Sequence, residues 1–317
     1  MRTAFFQFLL QQAEVDPNLY LIVGDVGFSL IEPFQQKFPT RYINAGVAEQ
    51  NMIGVAAGLA MSGKNVYVYS IIPFTTLRCF EQIRDDLCYQ QLPVKIVGVG
   101  AGFSYGAMGV THHAIEDVAV LRSLPEMTVV APGSVLETRA LLPQIHTLNA
   151  PAYVRFGNNE ETITYPANTT ITLGKAVEII PHPDRYIVAT GNALDLAYKV
   201  CKTVGDIGLV SMPTIKPLDT TFFTSRKLSA VFTIEEHSVI GGLGDAVART
   251  LCEEVEHKVI FKAFGVQDFY FHEAGPRAYL LEKAGLSSDV ISAVIKEKIN
   301  AFTPPLSIPS YQQPGTY

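Results

Sequence analysis

The sequence predicts an α/β protein of two domains, each a mainly parallel sheet flanked by helices. Three observations point there. The 317 residues suit about two domains at roughly 150 residues each. Short apolar runs alternate with helix-period patterns along the chain, the arrangement of parallel strands covered on both faces. That alternation lapses once, in a polar stretch, and then resumes. Hydrophobic residues at 48% against 17% charged supply sizeable cores and argue against disorder.

Taken in order, the first domain spans residues 1–157. Its opening Ala4-Phe5-Phe6-Gln7-Phe8-Leu9-Leu10 is too short for a secretory signal, with only Arg2 before it and no small-residue cleavage site after it. Residues 19–23, 65–71, 94–100, 127–131 and 152–156 read as buried strands. Residues 49–62 read as a helix, because Met52, Val55, Ala56, Leu59 and Ala60 repeat at the spacing of one helix face. Leu77, Phe80, Ile83, Leu87 and Cys88 predict another over 74–90. Residues 158–173, rich in Thr, Asn and Glu, read as a linker. A second domain over 174–302 follows, with strands at 186–190, 207–211, 230–234 and 259–264 and helices at 193–204, 244–256 and 288–300. Residues 303–317 carry four prolines, which preclude a regular element. They read as a tail, or as an arm laid on a partner.

The formal charge of −6, with no run of Lys and Arg, gives no field for nucleic acid. No stretch nears the ~20 apolar residues that span a bilayer, so a soluble protein without membrane contact is expected. Cys79, Cys88, Cys201 and Cys252 show neither a CxxC pair nor metal-ligand spacing. Buried, reduced thiols of a cytoplasmic protein are the expectation, and no metal site of the chain's own.

The segment Asn44-Ala45-Gly46-Val47-Ala48-Glu49-Gln50-Asn51 is the most informative. Gly46 allows a tight turn, and Glu49 then starts a strongly apolar helix. A carboxylate there can simply complement the helix dipole, worth roughly 0.3–1 kcal/mol. The apolar helix behind it also predicts a buried junction, where desolvation raises a carboxyl's pKa toward neutrality, as a proton relay requires. These residues alone leave both readings open.

The Gly46-Val47-Ala48-Glu49-Gln50 pattern with its Ala/Gly-rich helix resembles the pyrimidine-binding domain of the transketolase and deoxyxylulose-phosphate synthase superfamily. Gly109-Val110-Thr111-His112-His113 resembles the family's G-x-T-H-Q. Ile115 to Arg122 and Pro125 to Pro132 resemble its E-D-x-x-x-L-R and P-x-M-x-V-x-x-P stretches. In the second domain, Glu235-Glu236 with Gly241-Gly242-Leu243-Gly244 is similar to the E-E-x-x-x-x-G-G-x-G of the transketolase C-terminal domain. The resemblance covers nearly the whole chain. It implies a thiamine-diphosphate pyrimidine-binding fold followed by a transketolase C-terminal-like domain.

The resemblance also implies roles. Glu49 corresponds to the catalytic glutamate that protonates the aminopyrimidine of thiamine diphosphate, and His112 to a catalytic histidine bonded to the substrate's two-carbon fragment. Phe74 and Phe80 match aromatics around the ring, with Leu77 where the usual stacking aromatic stands, and Asp25 joins this cofactor set. Arg2, Ser29 and Arg155 match contacts to a sugar phosphate; solvated surface charge is the plainer reading of both arginines. The family's phosphate-contacting histidine falls on Gly100, and its hydroxyl-reading aspartate on Met108, within or beside the glycine-rich stretch 98–106, expected to form a backbone-lined wall. These departures imply an unphosphorylated or nucleotide-linked sugar. Gly24-Asp25-Val26 lacks the second glycine of the family's G-D-G motif, which holds the diphosphate and Mg²⁺ with a downstream Asn. A separate N-terminal subunit is therefore expected to bring that site, in an α₂β₂ assembly inactive without it.

The reading is the C-terminal subunit of a split transketolase, moving a two-carbon ketol unit from a ketose donor to an aldose acceptor. Alternatives are a decarboxylating subunit, like deoxyxylulose-phosphate synthase or a 2-oxoacid dehydrogenase β chain, and an inactive regulatory or assembly module. Ala48-Glu49-Gln50 leans toward the synthase and the aromatic spacing toward transketolase.

Overall fold

The structure, a computed structural model, describes residues 1–157 and 163–302. Part of the expected linker, 158–162, and the proline-rich segment 303–317 lie outside the described residues. The first sheet contains β1 (Leu19–Val23), β2 (Tyr42–Asn44), β3 (Asn65–Ile71), β4 (Val94–Val99), β5 (Thr128–Val130) and β6 (Ala152–Phe156), all parallel, in the order β5-β6-β4-β3-β1-β2. Its strands read as unbroken apolar runs because both faces are covered. Tyr67, Tyr69, Val97 and Val154 point to one side, where they meet Phe5 and Leu9 of α1 (Arg2–Val15). Val66, Val68, Ile96 and Tyr153 point to the other, against Met52, Ile53 and Ala56. The opening apolar run, 4–10, lies in α1, whose buried face is Ala4, Phe5, Phe6, Leu9 and Ala13. Between β1 and β2 lies α2 (Glu32–Lys37).

Two helix expectations change. In α3 (Glu49–Met61) the buried stripe is Met52, Ile53, Ala56, Ala57 and Ala60; it is rotated from the expected one, leaving Val55 outward. The 74–90 segment is not one helix. It divides into α4 (Ile72–Thr75), a turn, and α5 (Phe80–Gln82), which continues as a π-helical turn over Ile83–Cys88. Thr76 Oγ1 joins its own N–H on Ile72 O, at 2.6 and 2.9 Å, whereas Cys79 Sγ takes Phe74 O at 3.2 Å and the Arg78 N–H turns to Pro73 O at 3.3 Å. The first domain adds α6 (Asp117–Arg122) and α7 (Val135–His146).

The second sheet follows β7 (Val177–Ile180), β8 (Arg185–Ala189), β9 (Gly208–Ser211), β11 (Ala230–Ser238) and β12 (Ile260–Val266), in the order β12-β11-β8-β9-β7; only β7 runs antiparallel to its neighbour. The helices α8 (Leu194–Val204) and α12 (Ser288–Phe302) bury Ala197, Val200, Ile291 and Ile295 on one face. On the other, α9 (Thr220–Thr224) and α10 (Leu243–Glu254) bury Phe223, Val247 and Leu251. A further helix, α11 (Arg277–Lys283), reaches the first domain. So does β10 (Thr214–Lys216), which pairs antiparallel with β5 and adds an edge strand to the first sheet. Cys79, Cys88 and Cys201 are buried and unbridged, but Cys252 is exposed, correcting the expectation of four buried thiols: its neighbour Leu251 takes the inward position on α10. No helix among the described residues is long and apolar enough to cross a membrane.

Candidate active site

From β1 the chain crosses to β2 on one side and then returns to β3 on the other. Such a reversal opens a crevice at the carboxyl ends of parallel strands. The loops after β1, β2, β3 and β4 meet along this edge, and they carry most of the expected site residues.

Glu49 opens α3 and is 1% exposed. It seats because Gly24, at the end of β1, has no side chain: a Cβ there would lie 3.3 Å from Glu49 Cγ and 2.9 Å from Ser70 Oγ. The Ser70 hydroxyl is buried without a hydrogen-bond partner. Burial of Glu49 is as expected, but it does not stand alone. Arg78 Nη1 donates to Glu49 Oε2 at 2.7 Å, because the break after α4 puts Arg78 on a turn facing α3. The guanidinium also lies 4.6 Å from the Phe74 ring centroid. Phe74 in turn meets His112 edge-on at 5.1 Å, and Tyr105 stands 6.5 Å beyond. Glu49, Arg78, Phe74, His112 and Tyr105 thus form one contiguous set. A pocket of about 320 Å³, lined by Val47, Ala48, Gln50, Asn51 and Arg78, opens onto Glu49.

His112 shares a 2.9 Å hydrogen bond between Nδ1 and Thr111 Oγ1. Partial burial lowers its pKa, which favours the neutral imidazole at pH 7. His113 beside it is buried against Phe103, and burial lowers its pKa as well. Leu77 and Met108 are exposed on the same edge. Beyond β1, Asp25 is exposed at φ 54° and accepts from Asn44 Nδ2 at 3.0 Å; Ser29, at φ 70°, donates its N–H to Glu32 Oε1 at 2.8 Å. Arg2 is exposed at the start of α1, with its charge toward Tyr69.

Phe80 and Arg155 stand apart. Phe80 packs into the core beside α3. Arg155 is buried, correcting both the surface-charge and the phosphate-contact expectations: Nε donates to Asp117 Oδ2 at 2.8 Å and Nη2 to the carbonyls of Ala114 and Glu236 at 2.7 and 3.1 Å. Nor do the glycines of 98–106 make a bare wall. A Cβ on Gly100 would sit 2.4 Å from the Tyr105 ring, and one on Gly102 2.4 Å from Glu236 Cγ. They admit close neighbours instead. Sequence reasoning missed Arg78 and Tyr105; the β-branched Thr75-Thr76 pair, poor helix formers, was the available signal for the turn that presents Arg78.

The glutamates of the second domain have structural work. Glu235 accepts the N–H groups of Leu243 and Gly244 at 2.7 and 2.8 Å, capping α10. Burial pushes its carboxyl up to about 7, against the opposing pull of those N–H groups. Arg122 donates to the carbonyls of Gly241 and Gly242, fastening the glycine turn to the first domain. Among the described residues no cluster of His, Cys, Asp and Glu could hold a metal ion.

Known proteins share this architecture. The family model "Transketolase, pyrimidine binding domain" matches residues 1–160, and "Transketolase, C-terminal domain" matches 174–291. A Clostridium sp. (strain MSTE9) protein, described as 6-deoxy-6-sulfo-D-fructose transketolase subunit SqwH, is 36% identical over 92% of each chain. An apulose-4-phosphate transketolase subunit of Phocaeicola vulgatus is 34% identical, over 84% of this chain and 87% of that one. A solved structure described as "Split gene transketolase, inactive beta4 tetramer" superposes with a TM-score of 0.83 at 33% identity, covering 94% of this chain and 97% of its own.

Proposed function

The chain belongs to the transketolase family, and we propose that it is the C-terminal subunit of a two-chain transketolase that transfers a two-carbon ketol unit from a ketose donor to an aldose acceptor. The observation that carries this reading is the buried Glu49 carboxylate at the strand reversal, with Phe74 and His112 alongside. These residues fit one half of thiamine diphosphate. An anionic acceptor beside a small pocket suits an aminopyrimidine, and the unpartnered Ser70 hydroxyl adds a polar group at the same junction. The diphosphate and Mg²⁺ half is assigned to a separate N-terminal subunit, consistent with the subunit names of the relatives and with Gly24-Asp25-Val26 lacking the second glycine.

When bound, thiamine diphosphate supplies the carbon centre that carries the two-carbon unit between sugars. Glu49 holds a proton on the ring nitrogen, sheltered from competing water. Arg78 covers the open side of that carboxylate with its guanidinium partly in solvent, where it would have to yield to a bound ring. Phe74 backs Arg78 beside the pocket, and neutral His112 hydrogen-bonds an oxygen of the sugar. Asp25, Ser29, Arg2, Leu77 and Met108 form the outer part of the cleft. Tyr105 fills the direction in which a side chain at position 100 would point, supporting an unphosphorylated or nucleotide-linked sugar. We assign the subunit to an α₂β₂ complex of the cytoplasm, inactive alone.

The test is reconstitution with the partner subunit, Mg²⁺ and thiamine diphosphate. Ketol transfer should appear only with both chains, and Glu49→Ala should nearly abolish it with the fold intact. Full activity of the Glu49→Ala complex would refute the reading. Pyruvate consumption with CO₂ release would replace it with a decarboxylating one, and brisk exchange between xylulose 5-phosphate and ribose 5-phosphate would refute the sugar assignment.

A further inference from the structure

The His112 loop leaves the first domain at Gly102 and returns at Ala114. Those two residues close its neck with reciprocal hydrogen bonds of 2.9 Å. Apart from Arg155 of the first domain, the groups that follow grip the loop from the second domain. Glu236 Oε1 accepts the Phe103 N–H at 2.7 Å. Arg155 Nη2 ties the Ala114 carbonyl to that of Glu236, and Asn192 Nδ2 donates to Ala101 O at 3.2 Å. Gly275 N–H donates to Gly106 O at 3.1 Å. Leu280 lies so close that a Cβ on Gly106 would be 2.5 Å from its Cδ1. Phe271 meets Phe103 edge-on at 5.1 Å.

The Glu236 carboxylate that holds Phe103 is itself held. Arg277, the first residue of α11, donates through Nε to both its oxygens at 3.1 and 3.0 Å and through Nη2 to Oε2 at 2.5 Å. Its Nη2 also reaches Asn192 O at 3.0 Å. Glu236 is 1% exposed on its side chain and Arg277 28%. A buried carboxylate with one backbone donor would be poorly compensated, whereas this one is fixed by a fork of charge-assisted bonds.

From this geometry we propose that Glu236 and Arg277 are positioning residues for the reaction: the second domain braces loop 102–114 through them and so sets where His112 stands in the cleft. The proposal rests on the reading above for the role of His112, but the brace itself does not. Among the described residues the His112 side chain is held by Thr111 and ring contacts, and its N–H bonds Gly109 O within the same loop at 2.9 Å, so its location follows the frame of its loop. A displacement of about 1 Å in such a group can cost up to about a hundredfold in rate.

Arg277→Gln, Arg277→Lys and Leu280→Ala make the test; Leu280→Ala removes packing and leaves every ion pair in place. In the full chain, amide hydrogen exchange of residues 102–114 should accelerate about tenfold in Arg277→Gln, as expected for losing charge-assisted bonds, with α3 unchanged. In the reconstituted complex, kcat for ketol transfer should fall about tenfold with the cofactor's KM unchanged, and Arg277→Lys should recover part of it. Leu280→Ala should show the same pattern more weakly, and it stands in should Arg277→Gln fail to fold. Loop exchange identical to wild type in both Arg277→Gln and Leu280→Ala overturns the brace. A loosened loop with undiminished kcat overturns the positioning role. A wild-type complex that transfers no ketol unit refutes the function above, while the exchange result still decides the brace.

Discussion

The Glu49–Arg78 pair is asymmetric, and the asymmetry makes a sharp prediction. Glu49 is 1% exposed on its side chain and Arg78 43%. Replacing Arg78 by Met strands an ionised carboxylate in the protein. Breaking a fully buried pair costs about 3–5 kcal/mol; half-exposure of the guanidinium screens part of that, which leaves about 2 kcal/mol. Loss of the contact with Phe74 adds about 0.5–1 kcal/mol. Glu49→Gln does the reverse: it leaves a guanidinium that water can solvate, costing less than about 1 kcal/mol. In Arg78→Met/Glu49→Gln no charge is stranded, so the double variant should be more stable than Arg78→Met alone. Equilibrium urea unfolding of the four proteins closes the cycle. Equal costs for the two single changes, or simple additivity, would refute the idea that Arg78 is what makes the buried carboxylate tolerable.

Three further predictions follow from burial. Lys95 is buried at the amino end of β4, with Nζ donating to the Leu148 and Ala150 carbonyls at 2.6 and 3.0 Å, and burial lowers its pKa to about 7. The unfolded lysine keeps its proton to about 10.4, so the unfolded state binds more protons between the two values. Lys95 therefore weakens the fold fully below pH 7, and stability rises with pH above that by up to about 1.4 kcal/mol per unit; Lys95→Met should flatten that slope in urea titrations at several pH values. Asp117→Asn breaks the buried pair with Arg155 and weakens the 2.6 Å bond from Tyr153, and thermal unfolding should show a loss of about 3–5 kcal/mol. Gly242→Ala places a Cβ 2.1 Å from Glu235 Oε2 and should cost about 1–3 kcal/mol as an overpacked contact, read by the same melts.

Much of the fold was legible because a parallel sheet covered on both faces writes its strands as apolar runs; β1, β3 and β6 fall where those runs begin and end. The short strands β2 and β10 carry no such run. The periodicity over 74–90 misled because apolar spacing records which residues face inward, not whether the backbone stays helical between them. At the break, Cys79 Sγ takes the Phe74 carbonyl and the Arg78 N–H turns to Pro73 O. In the site, Glu49 was found because a carboxylate at the head of an apolar helix is locally anomalous. Its partner was not, since an arginine is anomalous only once the turn that aims it is known. Arg155 was misread for a related reason: a strand-end arginine looks solvated until a second domain is laid over it.

That last error explains why so much of the family pattern lies far from Glu49. At the domain boundary, away from the pocket, Arg122 of the E-D-x-x-x-L-R stretch reaches the carbonyls of Gly241 and Gly242, and Arg155, held by Asp117, reaches that of Glu236, while Glu235 caps α10 within the second domain. Docking two covered sheets edge to edge leaves charged groups stripped of water, and each must find a specific partner or cost several kcal/mol. Such pairs cannot be exchanged one at a time. The carboxyl edge of the first sheet obeys the opposite rule. There Phe28, Val47, Met108 and Val110, in the loops after β1, β2 and β4, hold apolar side chains out to solvent, a surface at odds with a chain that works alone. On the two-chain reading both features have one cause: the interior junction fixes the loop that carries His112, and the open apolar rim is where the partner with the diphosphate site closes over Glu49.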